Sequence, residues 1–567
     1  MEIAIVEMGR VTVAPADHVG LVGPIGWWHP AGEPAGFSPQ EIHRASERTR
    51  ETAFLVGLDL DKDSDGSRRV GVGFGGTISS TANGTPYRLL GILPPAGPET
   101  LGDPAFLAAH GVRYPYLSGA MAGGIGSAAV VIAMARVGMM GFFGSAGLGP
   151  ARTEKAIDEI QSALNGAQLP YGINLIHSPN ETGLERAMVD LYLRRGVTRA
   201  DASAFMQLTP SVVLYAAKGL RRAPDGTIAR VNRLFAKLSR PEIAELFLSP
   251  APAALLDVLK SQGLLTAEEA DLATRVPLAE DIIVEADSGG HTDNRPLTAL
   301  FTVVTGLRNT LTKKFGYAAN PRIGAAGGLG TPAALAAAFQ LGAAFVLTGS
   351  VNQASVEAAT SEAAKRLLSQ ADISDIMMAP AADMFELGVK VQVLKRGTMW
   401  AVRGQKLYEY YRNYPSWDAI PAADHAKITK EILQDSFENI WAGTKAYFEK
   451  RDPREVERAE ADPKHKMALV FRWYLGMGSR WAAQGEKTRG LDYQIWCGPA
   501  MGAFNRWAKG SWLEPLENRS VAAIARNLIE GAAAIARAQQ LRAFGAAVPA
   551  EAFDYRPRRF GGDSNET

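Results

Sequence analysis

Ser288-Gly289-Gly290-His291 closes the apolar run Ile282-Ile283-Val284, and about thirty residues later Arg322-Ile323-Gly324-Ala325-Ala326 runs into Gly327-Gly328-Leu329-Gly330-Thr331-Pro332. Glycine leaves backbone N–H groups uncovered, so they can approach a phosphate, and the helix expected from Ala333 adds its partial positive charge. The next apolar run ends in Thr348-Gly349-Ser350, a second set of donors. One such turn alone reads as a tight bend with a helix cap. Two adjacent glycine-bearing strand ends point instead to a phosphorylated cofactor. At Gly289-Gly290 the chain can pass close to a flat ring, with His291 at its edge. An imidazole there can donate to a carbonyl, orient a substrate or relay a proton, although a lone histidine is more often structural.

Other segments are weaker. Gly119-Ala120-Met121-Ala122-Gly123-Gly124-Ile125-Gly126-Ser127 contains a loose Gly124-x-Gly126-x-x-Ala129 fingerprint, but Gly144-Ser145-Ala146-Gly147 stands where a ribose-binding acid is needed. A Rossmann unit is disfavoured. Backbone of a first strand-to-helix loop touching an aromatic cofactor fits better. Asn174 and Lys237 end or interrupt strand-like runs, where they could bind a ring's polar edge or make structural hydrogen bonds. Cys497 reads as a buried thiol. No His/Cys cluster has ligand spacing, and Asp287 and Asp293 alone do not make a metal site.

Strand-like runs occur at 116–120, 141–143, 171–175, 212–215, 234–238, 282–284, 322–325 and 345–347, mostly separated by helical stretches such as 127–137, 153–163, 183–194 and 332–341. Alternation of this kind implies a parallel sheet, and about eight strands in this span suit a (β/α)8 TIM barrel. That places the barrel at 111–400. Residues 241–275 read as a helical insertion able to cap the barrel mouth. Residues 1–110 read as a small, partly β region. Eight of the ten tryptophans lie from Trp400 onward, and helical spacing persists there, so 401–549 is expected to be helical with an aromatic core, followed by a frayed polar tail at 550–567. Asp61-Lys62-Asp63-Ser64-Asp65-Gly66 resembles the start of a calcium loop, but Val72 stands where that loop needs a bidentate Glu; an Asp-Gly turn between strands is expected.

Lys plus Arg is 60 and Asp plus Glu is 59, a net charge of +1, which gives no global attraction to nucleic acid or to acidic membranes. The single cysteine excludes an intramolecular disulfide and suggests a reducing, cytoplasmic setting. The opening residues Met1-Glu2-Ile3-Ala4 do not read as a secretion signal. The apolar stretch 121–143 contains Arg136 and is punctuated by glycines, so it reads as a buried strand-helix-strand segment, not a membrane span.

Taken together, Met121-Ala122-Gly123-Gly124, Asn174, Gly289-Gly290-His291, Gly327-Gly328 and Gly349-Ser350 resemble the flavin-dependent barrel family of nitronate monooxygenases and FMN-containing enoyl reductases. Longer motifs are similar to its PfaD-type branch, the trans-acting enoyl reductases of polyunsaturated fatty acid and polyketide synthases. These are the stretches 174–179, 285–296, 379–386, 471–476 and 492–499. The resemblance runs from about Leu101 to Arg542. It implies FMN, NADPH (or NADH) as hydride source, and an α,β-unsaturated acyl chain carried by an acyl carrier protein. It makes Ala120, Met121, Ala122, Gly123, Asn174, Lys237, Gly289, Gly290, Gly327, Gly328, Gly349 and Ser350 the cofactor-binding set. His291 is the candidate polarising or protonating group, and His177 is a second candidate set against a structural role. Arg194-Arg195, Arg221-Arg222 and Lys313-Lys314 could steer an acidic carrier, although solvated helix faces are the plainer reading. Homodimerisation is expected only by analogy. Two alternatives stay open: nitronate oxidation on the same scaffold, and a non-catalytic docking role within a synthase.

Overall fold

The computed structural model describes residues 25–62, 68–164, 166, 168–178 and 182–560. The chain divides into two compact units, residues 1–98 with 530–555 and residues 99–529 with 556–567.

The first unit is built on an antiparallel sheet ordered Arg68–Phe74, Ala53–Lys62, Tyr87–Leu93, Gly26–His29, Thr77–Ser79. Helix Pro39–Glu47 is started by Ser38, whose hydroxyl and Glu41 cap each other reciprocally. Ile42, Leu55, Val72 and Leu541 share one core cluster. The acidic turn at 63–66 lies outside the described residues, but the strands flanking it pair antiparallel.

The second unit contains a closed barrel of eight parallel strands: β1 Tyr116–Ser118, β2 Met140–Phe143, β3 Gly172–Ile176, β4 Arg199–Ser203, β5 Arg233–Leu238, β6 Asp281–Glu285, β7 Arg322–Ala326 and β8 Val346–Thr348. Seven of these coincide with the strand-like runs. The exception is 212–215, which is helix (Pro210–Ala217), while the fourth strand is β4. Thr209 caps that helix and Pro210 opens it, so Val212, Val213, Leu214 and Tyr215 are buried as a helix packed on the barrel.

Registers fix what lies inside. Asp201 stands opposite Asn174 and Phe235, and Lys237 opposite Ser203 and Ile283. Residues two apart share a face. Phe235, Ile283 and Asp201 therefore occupy the middle of the interior, while Lys237 and Glu285 lie nearer the strands' C-terminal ends. The N-terminal pole is closed by helix Pro104–His110, whose Phe106 stacks on Phe345 at 4.3 Å. There His110 Nε2 lies 3.0 Å from Asp281, and Arg322 grips the same carboxylate at 2.6 and 2.7 Å.

Three helices occupy the 241–275 stretch, as expected, but they do not cover the mouth. Ala253–Ser261 and Ala267–Ala273 pack on helix Pro210–Ala217, and Glu269 accepts from the Gly219 backbone at 2.8 Å, near the segment that leads into the start of β5. The helices after residue 400 do carry an aromatic core, with Trp417 stacked between His425 at 4.1 Å and Phe437 at 4.7 Å. Compactness does not separate 401–549 from the barrel: residues up to 529 belong with it, and the remainder of helix Val521–Ala543 counts with the first unit. Nor is the stretch 550–560 frayed. Tyr555 is buried, and the Arg558 backbone donates to Asn527 at 2.6 Å.

Candidate active site

Every residue selected from the sequence as a site candidate belongs to a barrel strand, from its middle to its C-terminal end, or to the loop just after one, on the side where TIM barrels place their chemistry. Ala120 to Gly123 follow β1, Asn174 is in the middle of β3 and His177 directly follows it, Lys237 is in β5, Gly289 to His291 follow β6, Gly327 and Gly328 follow β7, and Gly349 and Ser350 follow β8.

The glycines divide into two kinds. At Gly123, Gly328 and Gly349 a β-carbon would meet nothing within 4 Å, so their backbone faces open space. Gly123 and Gly328 also hold φ of +70 and +71°, which side chains tolerate poorly. Gly327 and Gly289 serve contacts between chain segments. A β-carbon on Gly327 would stand 2.6 Å from the Ala286 carbonyl carbon, and one on Gly289 would stand 2.8 Å from the Cys497 nitrogen. The glycine at 289 is thus required by another stretch of backbone.

Sequence reasoning did not place that stretch in the site. Trp496 to Ala500 lies against the loops after β6, β7 and β8. Gln353 Nε2 donates to the Trp496 carbonyl at 2.5 Å, the Gly498 backbone donates to Ser350 Oγ at 3.0 Å, and Gly330 abuts the Ala500 carbonyl. Trp496 also packs against the cluster of Met121, Ile125 and Ala358. Gly498-Pro499 opening a helix was the available sequence signal. Cys497 is fully buried, and burial pushes its thiol up to about 12, as suits an inert core thiol.

Asn174 is held firmly: Nδ2 donates to the Asp201 carbonyl at 2.9 Å and to Ser203 Oγ at 2.7 Å, and Tyr192 OH donates to its carbonyl at 2.6 Å. Lys237 Nζ donates to both Glu285 oxygens, at 2.9 and 2.8 Å. Burial works against the Lys237 charge, but Glu285 and Asp201 overcome it and hold the ammonium above its ordinary range. Sequence reasoning missed Asp201. It is fully buried, neither carboxylate oxygen has a partner within hydrogen-bond distance among the described residues, and burial pushes its carboxyl up to about 6 despite Lys237 and the Asn174 amide nearby. Its place in Arg199-Ala-Asp-Ala-Ser, with polar residues at every second position of a strand, was the only signal.

The two histidines are set differently. His177 is buried, its Nδ1 3.0 Å from Glu185 and its ring stacked on Phe205 at 4.9 Å. His291 is exposed on a short strand, Gly290–His291, which pairs with Lys390–Leu394, itself paired with Ile376–Pro380. Its loop is braced by Gln392, which donates to Asp287 at 2.7 Å and to the Ser288 carbonyl at 2.8 Å. Asn294 also donates to Asp287, and Arg240 takes Asp293 at 2.9 Å, so both aspartates have protein partners.

These residues would suit a phosphorylated flavin: open glycine backbone at the loops after β7 and β8, the polar side chains of Asn174 and Lys237, and a buried Ser288 hydroxyl with no partner among the described residues. Residues 104–444 match the family model described as Nitronate monooxygenase. The chain belongs to the nitronate monooxygenase family. Residues 414–493 also match the model described as Acyl-carrier-protein S-malonyltransferase, inserted helical domain. Within the nitronate monooxygenase family its similarities are to synthase components, in keeping with the PfaD-type branch. It is 48% identical over 458 residues to a component of the polyunsaturated fatty acid synthase of Thraustochytrium sp., covering 80% of this chain and 30% of that one. It is 47% identical over 431 residues to the polyketide biosynthesis protein PksE of Bacillus subtilis, covering 76% and 56%. The chain thus spans about a third to somewhat over half of these curated relatives. Among solved structures, the enoyl reductase domain of MlnA from the macrolactin cluster of Bacillus amyloliquefaciens superposes with a TM-score of 0.75 at 38% identity, covering 78% of this chain and 99% of that one. Family membership supports an oxidoreductase of the flavin-dependent type. Among the described residues no helix is long and apolar enough to cross a membrane.

Proposed function

We propose that the chain is an FMN-dependent, trans-acting enoyl reductase that saturates α,β-unsaturated acyl thioesters on an acyl carrier protein, with NADPH as reductant, during polyketide or polyunsaturated fatty acid synthesis. The observation that carries this reading is the meeting, at one barrel rim, of open glycine backbone at Gly328 and Gly349 with the exposed imidazole of His291. The similarity to an enoyl reductase domain supports it.

A bound flavin would supply hydride exchange between the nicotinamide and the enoyl β-carbon. The chain's own residues do the rest. Backbone at Gly328, Gly349 and Ser350 takes the phosphate. Asn174 and Lys237 form a pre-set polar floor whose bonds need no reorganisation during reaction. His291 donates to the thioester carbonyl, drawing charge away from the β-carbon, or delivers the proton at the α-carbon. His177, committed to Glu185 and Phe205, stabilises the loop after β3.

Purified protein is expected to be yellow and to consume NADPH with a crotonyl thioester on a carrier protein. Protein that stays colourless after reconstitution with FMN overturns the reading. The match over 104–444 also favours a second reading, nitronate oxidation. Turnover of a nitronate without enoyl reduction would reverse the order.

A further inference from the structure

A continuous set of contacts ties His291 to the helices beyond residue 400. Its Nε2 lies 3.3 Å from Asp383 Oδ1. Asp383 belongs to the connection between Ile376–Pro380 and Lys390–Leu394, the strand that pairs with His291. Helix Pro463–Gln484 grips this connection on both sides of Asp383. Arg472 Nε donates to the Ala382 carbonyl at 2.9 Å and its Nη1 lies 3.6 Å from Glu386. His465, with no exposed side-chain surface, sets Nδ1 2.8 Å from Glu386 and Nε2 3.0 Å from Glu455. Phe385 is buried against the rings of Tyr408, Tyr411 and Phe471. Asp383 itself is exposed, yet the residues beside it are pinned.

We propose that Asp383 is a positioning residue for His291, and that Arg472 and His465 hold it in place from the helical region. This rests on the enoyl reductase reading for its kinetic consequence, though not for its geometry. A carboxylate accepting from Nε2–H fixes the ring's orientation and, in the neutral ring, its tautomer; Nδ1 then faces the substrate and becomes the donor when the ring carries its second proton. An exposed pair of this kind contributes little stability, so its effect lies in orientation. The helical region thereby becomes part of the active site without touching substrate.

The test uses the full chain loaded with FMN and labelled with 15N at histidine, with the His291 signals identified by their loss in His291→Gln. Asp383→Ala is expected to move those signals, at pH 8, from a single-tautomer pattern toward an averaged one. It should lower kcat on a carrier-bound crotonyl thioester roughly tenfold with KM within about twofold. Asp383→Glu should restore both. Arg472→Ala, which keeps Asp383, should shift the signals the same way by less. An unchanged His291 pattern in Asp383→Ala, or an Asp383→Glu variant as poor as the Ala variant, overturns the proposal. A wild-type chain without enoyl turnover overturns the functional reading instead, while the nitrogen spectra still report on Asp383.

Discussion

Asp281 and Asp201 are both fully buried aspartates inside one barrel, Asp281 at its N-terminal pole and Asp201 in the middle of β4 facing Lys237 and Glu285, and their surroundings are opposite. At the N-terminal pole His110 and Arg322 together occupy both oxygens of Asp281. Burial opposes its charge, but these partners hold the carboxyl down to about 2. Further toward the mouth, neither oxygen of Asp201 has a partner within hydrogen-bond distance among the described residues, Lys237 spends its bonds on Glu285, and the carboxyl rises to about 6 despite Lys237 and Asn174 nearby. A satisfied buried network closes and stiffens a structure, whereas an unsatisfied one persists where a fold trades stability for a site. The same residue type thus distinguishes the sealed end of the barrel from the working end.

The sharpest way to break this contrast is to remove both carboxylates in turn. Asp281→Ala removes the main partner of Arg322 and of the buried His110 and is expected to cost about 3–5 kcal/mol in urea unfolding. The wild-type contribution of Asp281 should be complete above the unfolded range near pH 4 and be lost as pH falls toward 2, because its folded carboxyl is depressed. Asp201→Asn should act with the opposite sign. The folded chain binds that proton more tightly than the unfolded one, so ionising Asp201 costs stability as pH rises from about 4 to about 6. The variant should gain on the order of 1–3 kcal/mol at pH 7 and little at pH 4; a loss at pH 7 would mean that Asp201 has a stabilising partner after all. Lys237→Met should weaken FMN retention roughly tenfold, about 1.4 kcal/mol by fluorescence titration, by leaving Glu285 unpaired. Gly328→Ala adds a side chain at φ +71° in open space and should cost about 1 kcal/mol in thermal stability, with a parallel loss of FMN affinity. Least of all, Cys497 should give no reaction with a thiol reagent at pH 8 until the chain is unfolded.

The contrast between the two surroundings also explains which parts of the molecule were legible in the sequence. Strands such as β6 are buried on both faces and appear as plain apolar runs, so the barrel and its glycine-bearing mouth could be read. The strand β4 could not, because Arg199, Asp201 and Ser203 put polar groups at alternate positions of the interior, leaving only alanines to mark it. The run at 212–215 looked more strand-like than the real strand, since a short helix buried all round has no amphipathic period. His291 was visible from its neighbours in sequence. Asp383, Arg472 and the Trp496 to Ala500 stretch were not visible as site components, because only folding brings them to the rim.

That last stretch bears on how the protein is made. The loops that Gly289 and Ser350 belong to leave the ribosome well before Trp496 does, by roughly ten to forty seconds at 5–20 residues per second for the interval from 291 to 496. Until then the nascent barrel holds its glycine turns without the strand of backbone they were shaped to receive. The rim is therefore completed late in biosynthesis, by the segment that reaches it last.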